Sequence, residues 1–237
     1  MMNDKRPRDA KMLSNQILGM ERAKQRRREA IFAAAETMIR SRGDTGFSMN
    51  DLARQASIST YTIYNLIGTK DTVFYTLLNL GIDRIETVRA DSFEEGDTLE
   101  AIFSAADSVV ATFVKDADFY RPLMRHLLGV PDPVNRPHFM ARSFDYWLFA
   151  ITPALEAGVF REDTSPHALA LTIQVFFTGV TDYWVHDEMT DDEFLRQIRY
   201  GVAAFLLASV KDPDRPRLMA MMGDNKAGIE AVVARLR

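Results

Sequence analysis

Cysteine is missing altogether from the 237 residues of this chain, so no disulfide, thiolate zinc site or cysteine nucleophile can be built. Histidine is nearly as scarce. None of His126, His138, His167 and His186 has a glutamate three residues before it, which removes the Glu-x-x-His pairs that a di-iron helical bundle requires. Asp163/His167 and Asp182/His186 are spaced to share a helix face, but with no third histidine beside them they read as solvated charges near helix ends. No glycine-rich phosphate loop, nucleophile elbow or Ser/His/Asp spacing occurs. No catalytic residue, metal or cofactor is therefore expected. Period-2 strand runs are also absent. The most apolar run, Leu169 to Val185, is interrupted by Thr172, Gln174 and Asp182 and falls short of the roughly 20 residues a membrane span needs. The N-terminus is polar and basic, without the apolar segment of a signal peptide. These absences lead to the expectation of a cytoplasmic protein with no membrane partner.

A positive net charge is lacking too, since the chain totals -4. Its distribution is uneven. Residues 1–90 hold 15 Lys/Arg against 10 Asp/Glu, and residues 91–237 hold 14 against 23. The basic excess gathers in residues 1–30, including Lys24, Arg26, Arg27 and Arg28, where it suits sequence-independent contact with phosphates or a solvated tail. For Arg26 to Arg28 the phosphate reading is favoured, because they adjoin the segment from Ser48 to Lys70.

Between Ser48 and Lys70 lie two short helical patterns joined by a tight turn, the dimensions of a helix-turn-helix. Ser48 and Asp51 form a capping-box pattern, after which Met49, Leu52, Ala53 and Ala56 fall on one face. Ser57, Ile58 and Ser59 make the turn, and Ser59 or Thr60 can cap the second helix. The inward positions of that helix are Ile63, Leu66 and Ile67. Thr60, Tyr61, Thr62, Tyr64 and Asn65 are left for its outer face and edges. Hydroxyls and an amide on an uncharged surface suit phosphates and base edges in a major groove.

The string S-M-x-D-L-A-x-x-A-S-I-S-x-Y-T-I-Y-x-L-I-x-T-K-D, Ser48 to Asp71, resembles the DNA-binding signature of the TetR/AcrR family of transcriptional regulators, and the resemblance extends over residues 24–80. Ser48, Leu52, Ala53, Ala56, Ser59, Thr62, Tyr64 and Lys70 follow the pattern. Ser57 and Tyr61 replace its usual glycines, and Leu66-Ile67 replaces His-Phe. The resemblance implies an all-α fold: a three-helix helix-turn-helix head followed by a helical ligand-binding and dimerisation domain. It implies a double-stranded DNA operator as partner. Thr60, Tyr61 and Asn65 would face base edges, and Arg28, Ser48, Thr62, Tyr64 and Lys70 would face phosphates, with Ser59 at the turn between them.

Helical patterning with Gly, Pro and Asp/Asn joints runs nearly to the end and divides the chain into a flexible basic tail (1–22), a helix-turn-helix domain (23–70), a connecting helix (71–90), a regulatory domain (91–212) and a tail with one possible helix (213–237). Residues 92–96 form an acidic break. Ser165-Pro166 and the Thr190/Glu193 capping box open the last two long helices. Leu169, Thr172, Phe176, Gly179, Val180 and Tyr183 on one, with Ile198, Val202, Phe205, Leu206 and Ser209 on the other, read as faces for a homodimer contact like that of the family.

Aromatic and Met residues are abundant between 99 and 184, more than a plain bundle needs. The resemblance implies a ligand cavity among them, and Phe113, Met124, Phe144, Trp147, Phe176 and Tyr183 are its candidate lining, suited to a small apolar or aromatic effector. The expected function is a ligand-responsive regulator, a repressor released by its effector. An activator of the same fold, or a helical carrier or enzyme, are the alternatives.

Overall fold

The computed structural model describes residues 6–91 and 97–235, and the acidic break expected at 92–96 lies outside them. Ten α-helices carry the described residues: α1 (Arg6–Arg42), α2 (Met49–Ala56), α3 (Thr60–Leu66), α4 (Lys70–Asp91), α5 (Thr98–Lys115), α6 (Ala117–Gly129), α7 (Asn135–Glu156), α8 (Pro166–Val185), α9 (Asp191–Leu207) and α10 (Arg215–Arg235). Among the described residues the sole β-type pairing is an isolated antiparallel bridge, Phe160 to Val210. The chain divides into two compact units at Leu77/Leu78, within α4.

The first unit is built on a small core. Ile31, Ala35, Met38 and Ile39 of α1 are buried with Phe47, Leu52, Ile63, Val73 and Phe74. Gly43, at φ 69°, ends the packed part of α1 in the left-handed conformation that glycine adopts without penalty. The sequence reading ends a flexible tail at residue 22. Instead the helix begins at Arg6, so residues 6–22, expected as a flexible tail, are helical. Strong helix formers such as Lys, Met, Leu, Glu and Arg occupy this stretch, Pro7 falls in the first turn where it is tolerated, and the single Gly19 does not break the helix.

The second unit is a bundle. Asp97 caps α5 by accepting from the Leu99 and Glu100 amides, and Ser165 caps α8 through the Ala168 amide. Thr190 and Glu193 form a reciprocal capping box on α9. The α8 helix, 20 residues from Pro166, is long and apolar enough to cross a bilayer by length and composition, contrary to the sequence reading; half of it is buried against its neighbours. Ile198, Val202 and Leu206, expected at a subunit contact, lie fully buried in the bundle itself.

The possible helix expected in the C-terminal tail is longer than its sequence pattern suggests. After a 3-10 turn at Asp212–Asp214, α10 occupies nearly all of the expected tail and packs along α9, burying Leu218, Asn225, Gly228 and Val232. Arg235 holds Glu193 at 2.6 Å, and Arg217 pairs with Asp97 and Glu100. Gly228 is required where it is, because a Cβ there would lie 2.6 Å from Cδ of Arg196.

Candidate DNA-reading head and effector cavity

The turn between α2 and α3 is set by Ser57, whose φ of 54° is left-handed and whose amide donates to Ala53 and Arg54. A serine pays for this conformation where glycine would not. Ser48 and Asp51 cap α2 reciprocally. Hydrogen bonds from the Ser48 amide and hydroxyl, with Arg54 beside them, hold the Asp51 carboxyl down at about 2. On α3, Ser59 accepts from the Thr62 amide at 3.2 Å, and its hydroxyl lies 2.8 Å from that of Thr62.

One face of α3 is anchored by Ile63, which is fully buried, while Leu66 and Ile67 are only half-buried. The opposite face is open. Tyr61 is 76% exposed and Tyr64 51%, with Asn65 exposed beside them. Thr60 is tethered: its hydroxyl donates to Oδ1 of Asn50 at 2.9 Å, joining the two helices of the motif. Asn50 carries no pattern that singles it out in the sequence, being one polar residue in the first turn of α2.

Two of the expected phosphate contacts have additional work. Nε of Arg28 donates to the carbonyl of Leu66 at 3.3 Å, bracing the C-terminus of α3 and leaving its terminal guanidinium nitrogens on the outside. Nζ of Lys70 donates to the carbonyls of Thr45 and Phe47 at 3.1 and 3.2 Å and lies 5.9 and 5.7 Å from the rings of Phe47 and Phe74. An ammonium has three donors, so one remains for an anion.

Within the second unit a cavity of about 60 Å³ lies between α4, α5, α6, α7 and α8. Its wall comprises Leu78, Gly81, Ile82 and Ile85 of α4, Val109 and Phe113 of α5, Tyr120, Met124 and Leu127 of α6, Phe139, Met140, Ser143, Tyr146 and Trp147 of α7, and Phe177, Thr178 and Thr181 of α8. Among the described residues no charged side chain is in that wall. The hydroxyls of Tyr146, Thr178 and Thr181 each donate to a backbone carbonyl at 2.8 Å, so these three offer a guest oxygen lone pairs rather than protons. Gly81 admits Tyr120, whose hydroxyl would lie 3.0 Å from a Cβ at that position.

Phe113, Met124 and Trp147 from the sequence reading are brought together in this wall. Phe144, Phe176 and Tyr183 are not. Phe144 stacks on His167 with centroids 6.2 Å apart, Phe176 packs on Phe205 and Gly201, and Tyr183 is 41% exposed. Tyr120, Phe139, Tyr146 and Phe177 line the cavity in their stead. The Asp182/His186 pair is close, with 3.4 Å between Oδ1 and Nδ1, but among the described residues no group of three or more His, Asp or Glu is placed to hold a metal.

A helix-turn-helix head joined to a helical bundle with an internal cavity is the build of a helix-turn-helix protein of the all-α kind. No family model matches the chain. The uncharacterized HTH-type transcriptional regulator YfiR of Bacillus subtilis is 20% identical over 171 residues, 72% of this chain and 83% of that protein. Thermus thermophilus FadR, a TetR-family transcriptional repressor solved in complex with lauroyl-CoA, is 21% identical over 78% of this chain and 96% of its own, with a TM-score of 0.63. SmeT, the repressor of the Stenotrophomonas maltophilia multidrug efflux pump SmeDEF, is 19% identical over 78% and 91%, with a TM-score of 0.56. The chain therefore has the fold of the TetR-family transcriptional regulators.

Proposed function

We propose that this chain is a TetR-family regulator that binds an operator as a homodimer, represses from it, and is released by a small apolar effector. The observation that carries the reading is the outer face of α3, where Tyr61, Tyr64 and Asn65 stand uncharged and exposed on a helix whose other side is pinned by Ile63. Such a face fits a major groove, with Thr60, Tyr61 and Asn65 toward base edges and Arg28, Ser48, Thr62, Tyr64 and Lys70 toward phosphates. Repression is supported by FadR and SmeT, both of them repressors, which share the fold.

A two-fold operator needs two heads. On α8, Leu171, Val175, Gly179 and Tyr183 recur every fourth residue on the exposed side, and no atom lies within 4 Å of a Cβ placed at Gly179. This stripe, with Ala204 of α9 and Ala208 at its C-cap, is the proposed isologous contact. The effector would enter the cavity and favour a state that holds DNA less well, releasing it by linkage. At about 60 Å³ the cavity is well below the ~300 Å³ of ligand-filled sites, so as it stands it does not enclose a whole effector.

Selection of bound fragments from genomic DNA, repeated at two salt concentrations, tests the reading. A regulator enriches one two-fold sequence and loses affinity steeply with salt. Recovery of random sequence at both would refute it.

A further inference from the structure

The cavity has a neighbour. At the turn between α6 and α7 an open groove of about 670 Å³ is walled by Leu128, Val130, Pro131, Pro133, Arg136 and Pro137. Leu127 and Met140 belong to both walls, so these two side chains alone are shared between the inner cavity and the outer groove. Met140 is half-buried, and an unbranched thioether side chain changes rotamer at little cost. The two spaces also differ in chemistry. Among the described residues the inner one is lined by uncharged, largely aromatic side chains, whereas the groove contains Asp132 and Arg136.

Those two charges are not equivalent. Asp132 is already satisfied, accepting from the amides of Val134 and Asn135 at 2.9 and 2.7 Å and from Nδ2 of Asn135 at 2.7 Å. Arg136, half-exposed, has no hydrogen-bond or ion-pair partner among the described residues. A guanidinium on a proline-stiffened apolar groove can pair with an anion at the end of an apolar chain.

We infer that cavity and groove are two compartments of one site for an anionic amphiphile, whose apolar chain passes Met140 into the aromatic cavity while its carboxylate or phosphate head stays at Arg136. This deepens the effector reading and rests on it. It also resolves the mismatch of size, since the inner space has to hold only part of the ligand.

Titration calorimetry of the full chain with decanoate and decyl phosphate below their micellar concentrations, and with decanol below its solubility limit, tests the inference. Both anions are expected to bind at least about tenfold tighter than decanol. Arg136→Ala should erase that difference and Arg136→Lys should retain it. Met140→Trp, which fills the partition, should weaken all three about tenfold, and Met140→Ala should not. Equal binding of the three probes, absence of binding, an anion preference that survives Arg136→Ala, or indifference to Met140→Trp overturns the two-compartment site. Release of selected DNA by decanoate is measured separately. Arg136-dependent binding without release would leave the site standing and refute the effector role.

Discussion

The ring of Phe176 on α8 lies over Gly201 on α9 so closely that a Cβ at position 201 would come within 2.1 Å of the ring's Cζ. Phe205 closes the same contact from the side, its ring centroid 5.2 Å from that of Phe176 in an edge-on arrangement. Gly201→Ala is therefore expected to destabilise the protein by about 1–3 kcal/mol through overpacking. In a Phe176→Ala background the same change should cost almost nothing. Urea unfolding of the four variants gives the coupling directly.

On DNA the two kinds of contact should separate. Asn65→Ala is expected to cost about 1–3 kcal/mol at the selected operator and to relax selectivity, because a lost base contact discriminates. Lys70→Ala should weaken every sequence alike. Its own folding cost, from the released carbonyls of Thr45 and Phe47, is read from thermal melts without DNA. If Asn65→Ala leaves the operator preference intact, α3 does not read bases as proposed.

Ser57 offers a gain rather than a loss. With φ at 54°, Ser57→Gly should stabilise the protein by roughly 1 kcal/mol, offset in part by the added freedom of the unfolded chain, and Ser57→Val should be destabilising. Operator sequence should stay the same. Denaturant midpoints of the two variants in opposite directions from wild type would confirm the backbone argument.

The subunit contact can be tested without disturbing the bundle, since Gly179 is exposed with open space around it. Gly179→Asp should leave helicity near that of wild type and shift sedimentation at micromolar concentration from dimer to monomer, with loss of operator binding. An unchanged dimer would move the contact off this face of α8.

Acid should reveal the clamp between α9 and α10. The hydrogen-bonded Arg235 guanidinium, with the Thr190 amide and hydroxyl, pulls the Glu193 carboxyl down from its ordinary 4.5 to about 2. A carboxyl depressed on folding stabilises fully above its unfolded value, and that stability drains as pH falls through the folded one. Wild type should thus lose its advantage over Glu193→Gln between about pH 5 and pH 2. Parallel pH profiles for the two would show that the carboxylate contributes no such stabilisation.

Local signals were the legible part of this molecule. Ser48 with Asp51, Ser59, Ser165 and Thr190 with Glu193 mark helix starts because a cap involves neighbours only three residues apart. The phase of α8 was not legible. This helix is apolar on nearly all sides, so periodicity fails to say which side faces in; Phe177 rather than Phe176 reaches the cavity, one residue and about 100° away. The bonds of Lys70 to Thr45 and Phe47 depend on where the loop before α2 returns, and the Thr60–Asn50 bond on how the turn sets α3 against α2, which no spacing records. Within the expected tail of 213–237 one helix was legible but not its extent, because the apolar stripe of 215–235 is thin; Gly228 and the ends at Arg217 and Arg235 hold the helix by close approach and ion pairs instead.

The unbroken α1 has a thermodynamic consequence of its own. From Gln16 to Arg22 every side chain is exposed, Ile17, Leu18 and Met20 among them, whereas from Ile31 onward the same helix is seated in a core. A helical segment without tertiary support opens at a free-energy cost far below that of the whole domain. Amide protons before about residue 23 should then exchange with solvent quickly and those of Ile31 to Ile39 slowly, within one continuous rod. Whatever comes to rest on the early turns would be met by a helix still free to melt, and the heat of that encounter would carry the signature of coil becoming helix.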